Sequence, residues 1–257
     1  MATAPPAPDS LELFYREKYF SIFGADQASQ RRVAMFRLLL GRIPFRPPGR
    51  LLDVGCGAGH FLALARDVGW EVAGVDPSAE ACAVARQLYG LEVRNAPLEK
   101  ADLPEAAFQV ITLINVLDQA PDPLGLLMAA HRVLWPGGVL VIRAPNGDFH
   151  RVLWRLVRHL PSSAHRTLYS LLIFHSLSLS ARSLRTLLGR LQFQRIRVIN
   201  SPISGSELSV SGGAAGRITL SLLAFAVRIG SNACAALTAG RVLCAPSLIV
   251  LAERNLD

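Results

Sequence analysis

Through the middle of the chain, short apolar runs alternate with stretches of helical periodicity. Residues 51–54, 71–75, 91–94, 108–114 and 139–143 read as strands, and 59–68, 79–89 and 124–134 read as helices between them. Downstream, 180–191 reads as a helix, 193–199 as a sixth strand and 247–252 as a last one. Upstream, residues 10–41 read as helical, with Leu13, Phe14, Ile22, Phe23, Val33, Phe36, Leu39 and Leu40 at apolar positions and a break near Gly24. The prolines at 44, 47 and 48 end that region, since proline cannot continue a helix. Strand–helix alternation of this kind predicts an α/β fold, a parallel sheet covered by helices on both faces. The layout expected is a disordered tail (1–9), an N-terminal helical cap (10–48) and one larger domain (49–257). That domain carries an apolar and helical insertion before its last strand, at about 202–246.

The chain has 257 residues, enough to bury a core without disulfides or metals. It is 51% hydrophobic and only 18% charged, against about 25% charged in an average soluble protein. The net charge of +8 is almost entirely arginine, Lys18 and Lys100 being the only lysines. That balance fits an anionic lipid, a nucleic acid or a phosphorylated substrate without choosing among them. Cys56, Cys82, Cys234 and Cys244 form no CxxC pair and have no histidine at metal spacing. Neither a zinc site nor a disulfide framework is expected, which suits a reducing cytosol. The first ten residues lack the basic start and apolar run of a signal peptide, so a cytoplasmic location is the expectation.

Candidate chemistry sits in Leu51-Leu52-Asp53-Val54-Gly55-Cys56-Gly57-Ala58-Gly59-His60-Phe61, a strand entering a glycine-rich turn and then a helix. The glycines let the backbone turn sharply and approach a ligand closely. By themselves they would also serve an ordinary tight turn. The dinucleotide fingerprint is GxGxxG, whereas here the glycines fall as GxGxG and His60 takes the third place. Asp53, two positions before the first glycine, disfavours a pyrophosphate and favours a cationic ligand. S-adenosylmethionine, with its ammonium and sulfonium, is such a ligand. A second acid, Asp76, ends strand 2 about 20 residues past the turn, where a carboxylate accepts hydrogen bonds from ribose hydroxyls. Pro77 and Ser78 follow it, Ser78 placed to cap the next helix.

With these elements in place, LLDVGCGAGHF, VAGVDPS, FQVITLINVLDQAPDP and VLWPGGVLVIRAPN resemble the successive motifs of class I S-adenosylmethionine-dependent methyltransferases. The nearest flavour is the group that includes quinone-biosynthesis enzymes and bacterial small-molecule and glycan methyltransferases. The resemblance is dense over 50–146 and fainter beyond. It implies a Rossmann-like, doubly wound, seven-stranded sheet, mostly parallel, with the last strand antiparallel beside the sixth. It implies S-adenosylmethionine across strands 1, 2 and 4, with Asp53, Gly55, Cys56, Gly57 and Gly59 along the methionyl and ribose side. Asp76 would hold the ribose and Pro77 the adenine, with Ala96, Pro97 and Leu98 along the adenine edge and Asn115 beside the methionyl chain. Cys56 would contribute its backbone rather than a reactive thiol.

Methyl transfer is an in-line displacement that chiefly requires alignment, and a general base helps a hydroxyl or acidic-carbon acceptor. The family often carries Glu-His after strand 4, where this chain has Asp118-Gln119. His175, ahead of a Ser-rich turn, is the preferred base and His150 the next, with Tyr15 and Tyr19 placed to close the site from the N-terminal helix. No metal ligand set is evident.

Residues 149–206 contain no acid but nine arginines and four histidines. Within them, 151–158 reads as an amphipathic helix with Arg151, Arg155 and Arg158 on one face, either a solvated face or an interfacial membrane helix. Residues 218–244 are strongly apolar but broken by Arg228 and Arg241, a poor spanning segment that suits core helices or a lid. The expected function is methyl transfer to a small or lipid-linked acceptor, at oxygen first and carbon second, with peripheral contact to the anionic inner membrane face. Nucleic acid ranks low, since aromatics are few. The alternatives are a methyltransferase-like binding or regulatory protein without catalysis, which Gln119 keeps alive, and a nicotinamide-dependent reductase, which His60 and Asp53 disfavour.

Overall fold

The computed structural model describes residues 30–45, 49–157, 179–201 and 227–256. Its elements are α1 (Gln30–Arg42), β1 (Arg50–Val54), α2 (His60–Asp67), β2 (Glu71–Val75), α3 (Ala79–Tyr89), β3 (Val93–Arg94) and, after a 3₁₀ turn at Leu98–Lys100, β4 (Phe108–Ile114). Then come α4 (Pro123–Val133), β5 (Leu134–Pro145), α5 (Gly147–Val157), α6 (Ala181–Arg190), β6 (Phe193–Asn200) and β7 (Ser247–Arg254). Residues 227–237 are also helical.

The seven strands lie in the order β3-β2-β1-β4-β5-β7-β6. The first five are mutually parallel, and β7 runs antiparallel between β5 and β6. That is the doubly wound, Rossmann-like sheet expected from the alternation and from the family resemblance.

Alternation of side chains along each strand divides the core into two layers. On one face Leu51, Val110, Val141 and Ile249 meet Met35, Phe36 and Leu39 of α1, Phe61 and Leu62 of α2, and Cys82 and Ala85 of α3. On the other, Leu52, Val54, Ile111, Leu113, Leu140 and Val250 meet Leu126, Leu127 and Ala130 of α4 and Leu184 and Leu188 of α6. The N-terminal helix is therefore a packed member of the first layer. Its upstream partner in the predicted cap, with Tyr15 and Tyr19, lies outside the described residues.

Helix starts follow local chemistry. Ser78 caps α3 by accepting from Ala81 N–H, as its position predicted. Asp122 caps α4, whose first residue is Pro123. Ser180 and Ser183 form a reciprocal capping box at α6.

Several strand bounds differ from the sequence reading, most by one or two residues, and the starts of β3 and β5 have a visible cause. β3 is two residues rather than four, because only Val93 and Arg94 find partners on β2 at the sheet edge. β5 begins at Leu134 rather than 139, since Leu134 pairs with Phe108 before a register shift lets Val139 pair with Val110. Pro136-Gly137-Gly138 lies within that irregularity. Gly138 is hemmed in there, with Trp135 O 2.8 Å and Gln109 O 3.0 Å from where a Cβ would stand.

Candidate active site

The carboxyl ends of β1, β2 and β4 surround a cavity of about 370 Å³, within the range of about 300–1,000 Å³ typical of small-molecule sites. It lies beside β1 and β4. There the chain stops adding strands toward β3 and starts adding them toward β5, and such a switch point leaves a crevice between helices of opposite faces.

The floor is the glycine turn. Gly55 and Gly57 have φ of 68° and 54°, in the left-handed region where a side chain is costly. A Cβ on Gly55 would stand 2.5 Å from Val116 Cγ2. Gly55 and Cys56 N–H both donate to Val75 O, at 2.8 and 3.2 Å. Gly57 N–H donates to Asp76 Oδ2 and Ser78 N–H to Asp76 Oδ1, both at 2.8 Å. Asn95 Nδ2 donates to the carbonyls of Asp76 and Pro77. One carboxylate thus ties the turn, the end of β2 and the start of α3 together. Burial pushes the Asp76 carboxyl up, and its two backbone hydrogen bonds act against that. Each of its oxygens retains a lone pair for a further donor.

Past Asp76 the wall is apolar, formed by Pro77, Ala96, Pro97 and Leu98. Across the cavity stands Asn115, left-handed at φ 59° just past β4. Its amide oxygen accepts from the Arg143 guanidinium. Arginine only donates, so the oxygen must face Arg143 and the Asn115 amide nitrogen is the atom available to other partners. Arg143 is 1% exposed and also donates through Nε to Ser201 Oγ at 2.9 Å. Arg32 of α1 also lines the cavity.

Of the residues singled out from sequence, Gly55, Gly57, Asp76 and Pro77 therefore reach the cavity, as do Ala96, Pro97, Leu98 and Asn115. Asp53, Cys56 and Gly59 stand behind it. Cys56 is buried against Gly74, and burial raises its thiol well above the ordinary value. Gly59 is bare for packing, since a Cβ there would lie 2.4 Å from Leu91 Cδ1 and 3.1 Å from Ala85 Cβ. Asp53 is 3% exposed, its carboxylate accepting from Thr112 Oγ1 at 2.5 Å. Burial raises its pKa to about 7, with the Asp76 charge adding and the Thr112 hydrogen bond subtracting.

His150 is not at the cavity. It is partly buried on α5, with Nε2 3.1 Å from Pro246 O. His175 lies outside the described residues. Asp118 is fully buried, while its neighbour Gln119 lines the cavity.

Sequence reading missed Arg32 and Arg143. The signal for Arg143 was present, a lone arginine closing the apolar run Val139-Leu140-Val141-Ile142 of a buried strand. Arg32 is one of two adjacent arginines in a helix, and nothing local distinguishes it.

Residues 27–198 match the family model for a methyltransferase domain, about two thirds of the chain. The protein belongs to this family, the S-adenosylmethionine-dependent methyltransferases. It is 34% identical over 129 residues to a ubiquinone biosynthesis O-methyltransferase of Alkalilimnicola ehrlichii, a match spanning 45% of this chain and 52% of that one. It is 36% identical over 137 residues to a trans-aconitate 2-methyltransferase of Azoarcus sp., spanning 52% and 53%. The chain thus spans about half the length of these curated relatives. Among solved structures, an S-adenosylmethionine-dependent methyltransferase of Thermotoga maritima superposes with a TM-score of 0.61 at 15% identity, covering 95% of this chain and 99% of that one. That likeness establishes the shared fold.

The raised Asp53 pKa has a consequence for stability. The unfolded carboxyl titrates near 3.8 and the folded one near 7. Between those values the folded state holds a proton that the unfolded state releases, so stability falls as pH rises from about 4 to 7. A shift of that size corresponds to on the order of 4 kcal/mol at most. Asp76 contributes with the same sign, so the variant comparison isolates Asp53. Denaturant melts of Asp53→Asn should show a flatter decline over this window than wild type. Parallel declines would mean that Asp53 is ionised in the folded protein at pH 5.

Proposed function

We propose that the chain is an active methyltransferase that binds S-adenosylmethionine in this cavity and methylates a small or lipid-linked acceptor, at oxygen in preference to carbon. The observation that carries the reading is the pairing of Asp76 with a bare glycine turn at the switch point of the sheet. The residues fit the cofactor. Asp76 has lone pairs left for ribose hydroxyls, and the walls at Pro77 and Leu98 suit an adenine face. Arg32 offers a cation, and the Asn115 amide nitrogen a donor, to the methionyl carboxylate. Asp53, beneath the turn, ionises as pH rises through about 7, and its charge then adds negative potential toward a cationic ligand from behind rather than by contact. S-adenosylmethionine supplies the activated methyl. The chain's own residues bind and align, which is most of what an in-line displacement needs.

The preference for oxygen rests on the ubiquinone O-methyltransferase relative, and His175 stays the proposed base. A binding role without transfer is the second reading, favoured by Gln119 standing in the cavity wall where the family often has histidine. Incubation with methyl-labelled cofactor and a metabolite extract separates the two. Label in a small or lipid-soluble product supports transfer, and cofactor binding with no labelled product favours the second reading.

Calorimetry tests the binding step. S-adenosylmethionine and S-adenosylhomocysteine should bind in the micromolar range, about −8 kcal/mol, and NAD should not. Asp76→Ala should cost about 1–3 kcal/mol of that affinity, with Asp76→Asn intermediate. Because Asp76 also holds Gly57 and Ser78, each variant's melting curve must accompany the measurement. Tight NAD binding with no heat from either adenosyl ligand would overturn the assignment.

The same proposal places the protein against an anionic membrane face, from the cytoplasm. On α5, Val152 is 56% and Trp154 42% exposed, with exposed Arg151 and Arg155 beside them. Exposed Leu237 ends the 227–237 helix, and exposed Arg241 and Val242 lie on the segment that follows it. The two surfaces are joined where Asn146 donates to Leu243 O and His150 meets Pro246 O. Mixed apolar and arginine surface suits interfacial contact. No helix among the described residues is long and apolar enough to cross a membrane. The protein should sediment with anionic liposomes at low salt and be released at high salt, and Arg151, Arg155 and Arg241 changed together to Gln should weaken it. Wild type remaining in the supernatant at low salt would remove the membrane from the proposal and leave a soluble acceptor.

A further inference from the structure

The four cysteines divide into two kinds. Cys56 and Cys82 are buried, and burial raises both thiols. Cys234 and Cys244 are only partly buried and face each other with Sγ–Sγ 3.3 Å, ten residues apart in sequence. Nothing in the methyl-transfer reading uses them, and neither lines the cavity. Among the described residues no third metal-ligating side chain joins them.

The local structure holds the pair together. Cys234 belongs to the 227–237 helix, and the turn after it is fixed by Thr238 Oγ1, which donates to Cys234 O at 2.8 Å and accepts from Val242 N–H at 3.1 Å. Beyond Cys244, Ala245 N–H donates to Asn200 Oδ1, and Asn200 Nδ2 donates to Ser231 O on the helix. Both cysteines are therefore tied to the end of β6 through one asparagine. Asn146, just past β5, donates to the carbonyls of Leu243 and Ala245. The two sulfurs are neighbours because their backbones are anchored, and a bond between them, about 2.05 Å long, asks for a local approach only.

The hydrogen bond between the thiols is directional. Cys244 S–H donates to Cys234 Sγ, and burial together with the neighbouring thiol raises the Cys244 thiol above its ordinary value, which leaves Cys234 the attacking sulfur of the pair.

We propose that Cys234 and Cys244 are an oxidisable dithiol, a modification site at which a small disulfide such as oxidised glutathione closes a protein disulfide. The Cys234 thiolate attacks one sulfur of the glutathione disulfide, forming a mixed disulfide and expelling one glutathione thiolate. Cys244 then gives up its proton and attacks the Cys234 sulfur, expelling the second glutathione. Two protein thiols are oxidised to one disulfide and one glutathione disulfide is reduced to two thiols, the two protein protons ending on the glutathiones. The bond formed clamps the helix to the segment entering β7.

The test uses the whole protein with excess oxidised glutathione, read by intact mass and by thiol titration after denaturation. Wild type should lose two hydrogens without retaining glutathione, and its titratable thiols should fall from four to two, restored to four by dithiothreitol. A peptide map should join Cys234 to Cys244 and leave Cys56 and Cys82 free. Cys244→Ser should stop at a mixed disulfide, gaining one glutathione on Cys234. Cys234→Ser should lose most of the reaction. Four free thiols in wild type after hours, or a stable glutathione adduct in wild type that never resolves, would overturn the proposal. Attachment at Cys56 or Cys82 would do the same.

Discussion

The site depends on one carboxylate. Asp76 stands just past the end of β2 and accepts one backbone N–H from the glycine turn and one from the start of α3. Remove it and two buried N–H groups lose their partner, at about 1–3 kcal/mol each, and the turn after β1 loses its tie to β2. The turn can come that close only because Gly55 has no Cβ to strike Val116. The floor of the cavity and its most polar side chain are therefore one construction. Any ligand that engages Asp76 meets an acceptor already oriented by the backbone.

Around that construction the buried charges are sorted by strand. Asp53 lies on β1, hydrogen-bonded to Thr112 on the neighbouring β4, and Asp76 ends β2. Arg143 lies two strands from β1, at the end of β5, and reaches back to Asn115. Asp76 and Arg32 line the cavity, while Asp53 and Arg143 are buried outside its lining. The Arg143 contact also explains why Asn115 tolerates a left-handed backbone, since its side chain is held by a residue that is itself nearly wholly buried.

Much of this was legible in the chain. Period-two and helical patterns located all seven strands, most plainly β1 and β4, which are buried runs with polar punctuation. The antiparallel last strand came from the family resemblance, not from periodicity. In the glycine motif the residue types were visible but their division of labour was not. Gly55 and Gly57 face the cavity, while Gly59 is bare to admit Leu91 and Ala85. Asp53 looked like a ligand contact, and its position in the pleat puts it behind the turn on Thr112 instead. Pleat phase relative to a pocket is a tertiary fact. The same holds for Cys234 and Cys244, whose ten-residue spacing says nothing until a turn and Asn200 bring them together. Arg32 reaches the cavity only because α1 packs on α2, which no local pattern announces.

The most direct test of the account is a structure with S-adenosylhomocysteine bound. The ribose hydroxyls should lie within hydrogen-bonding distance of Asp76, about 2.6–3.2 Å, the adenine between Pro77 and Leu98, and the amino-acid portion toward Asn115 and Arg32. A nucleoside seated elsewhere, with the Asp76 carboxylate still engaged only by Gly57 and Ser78, would contradict it.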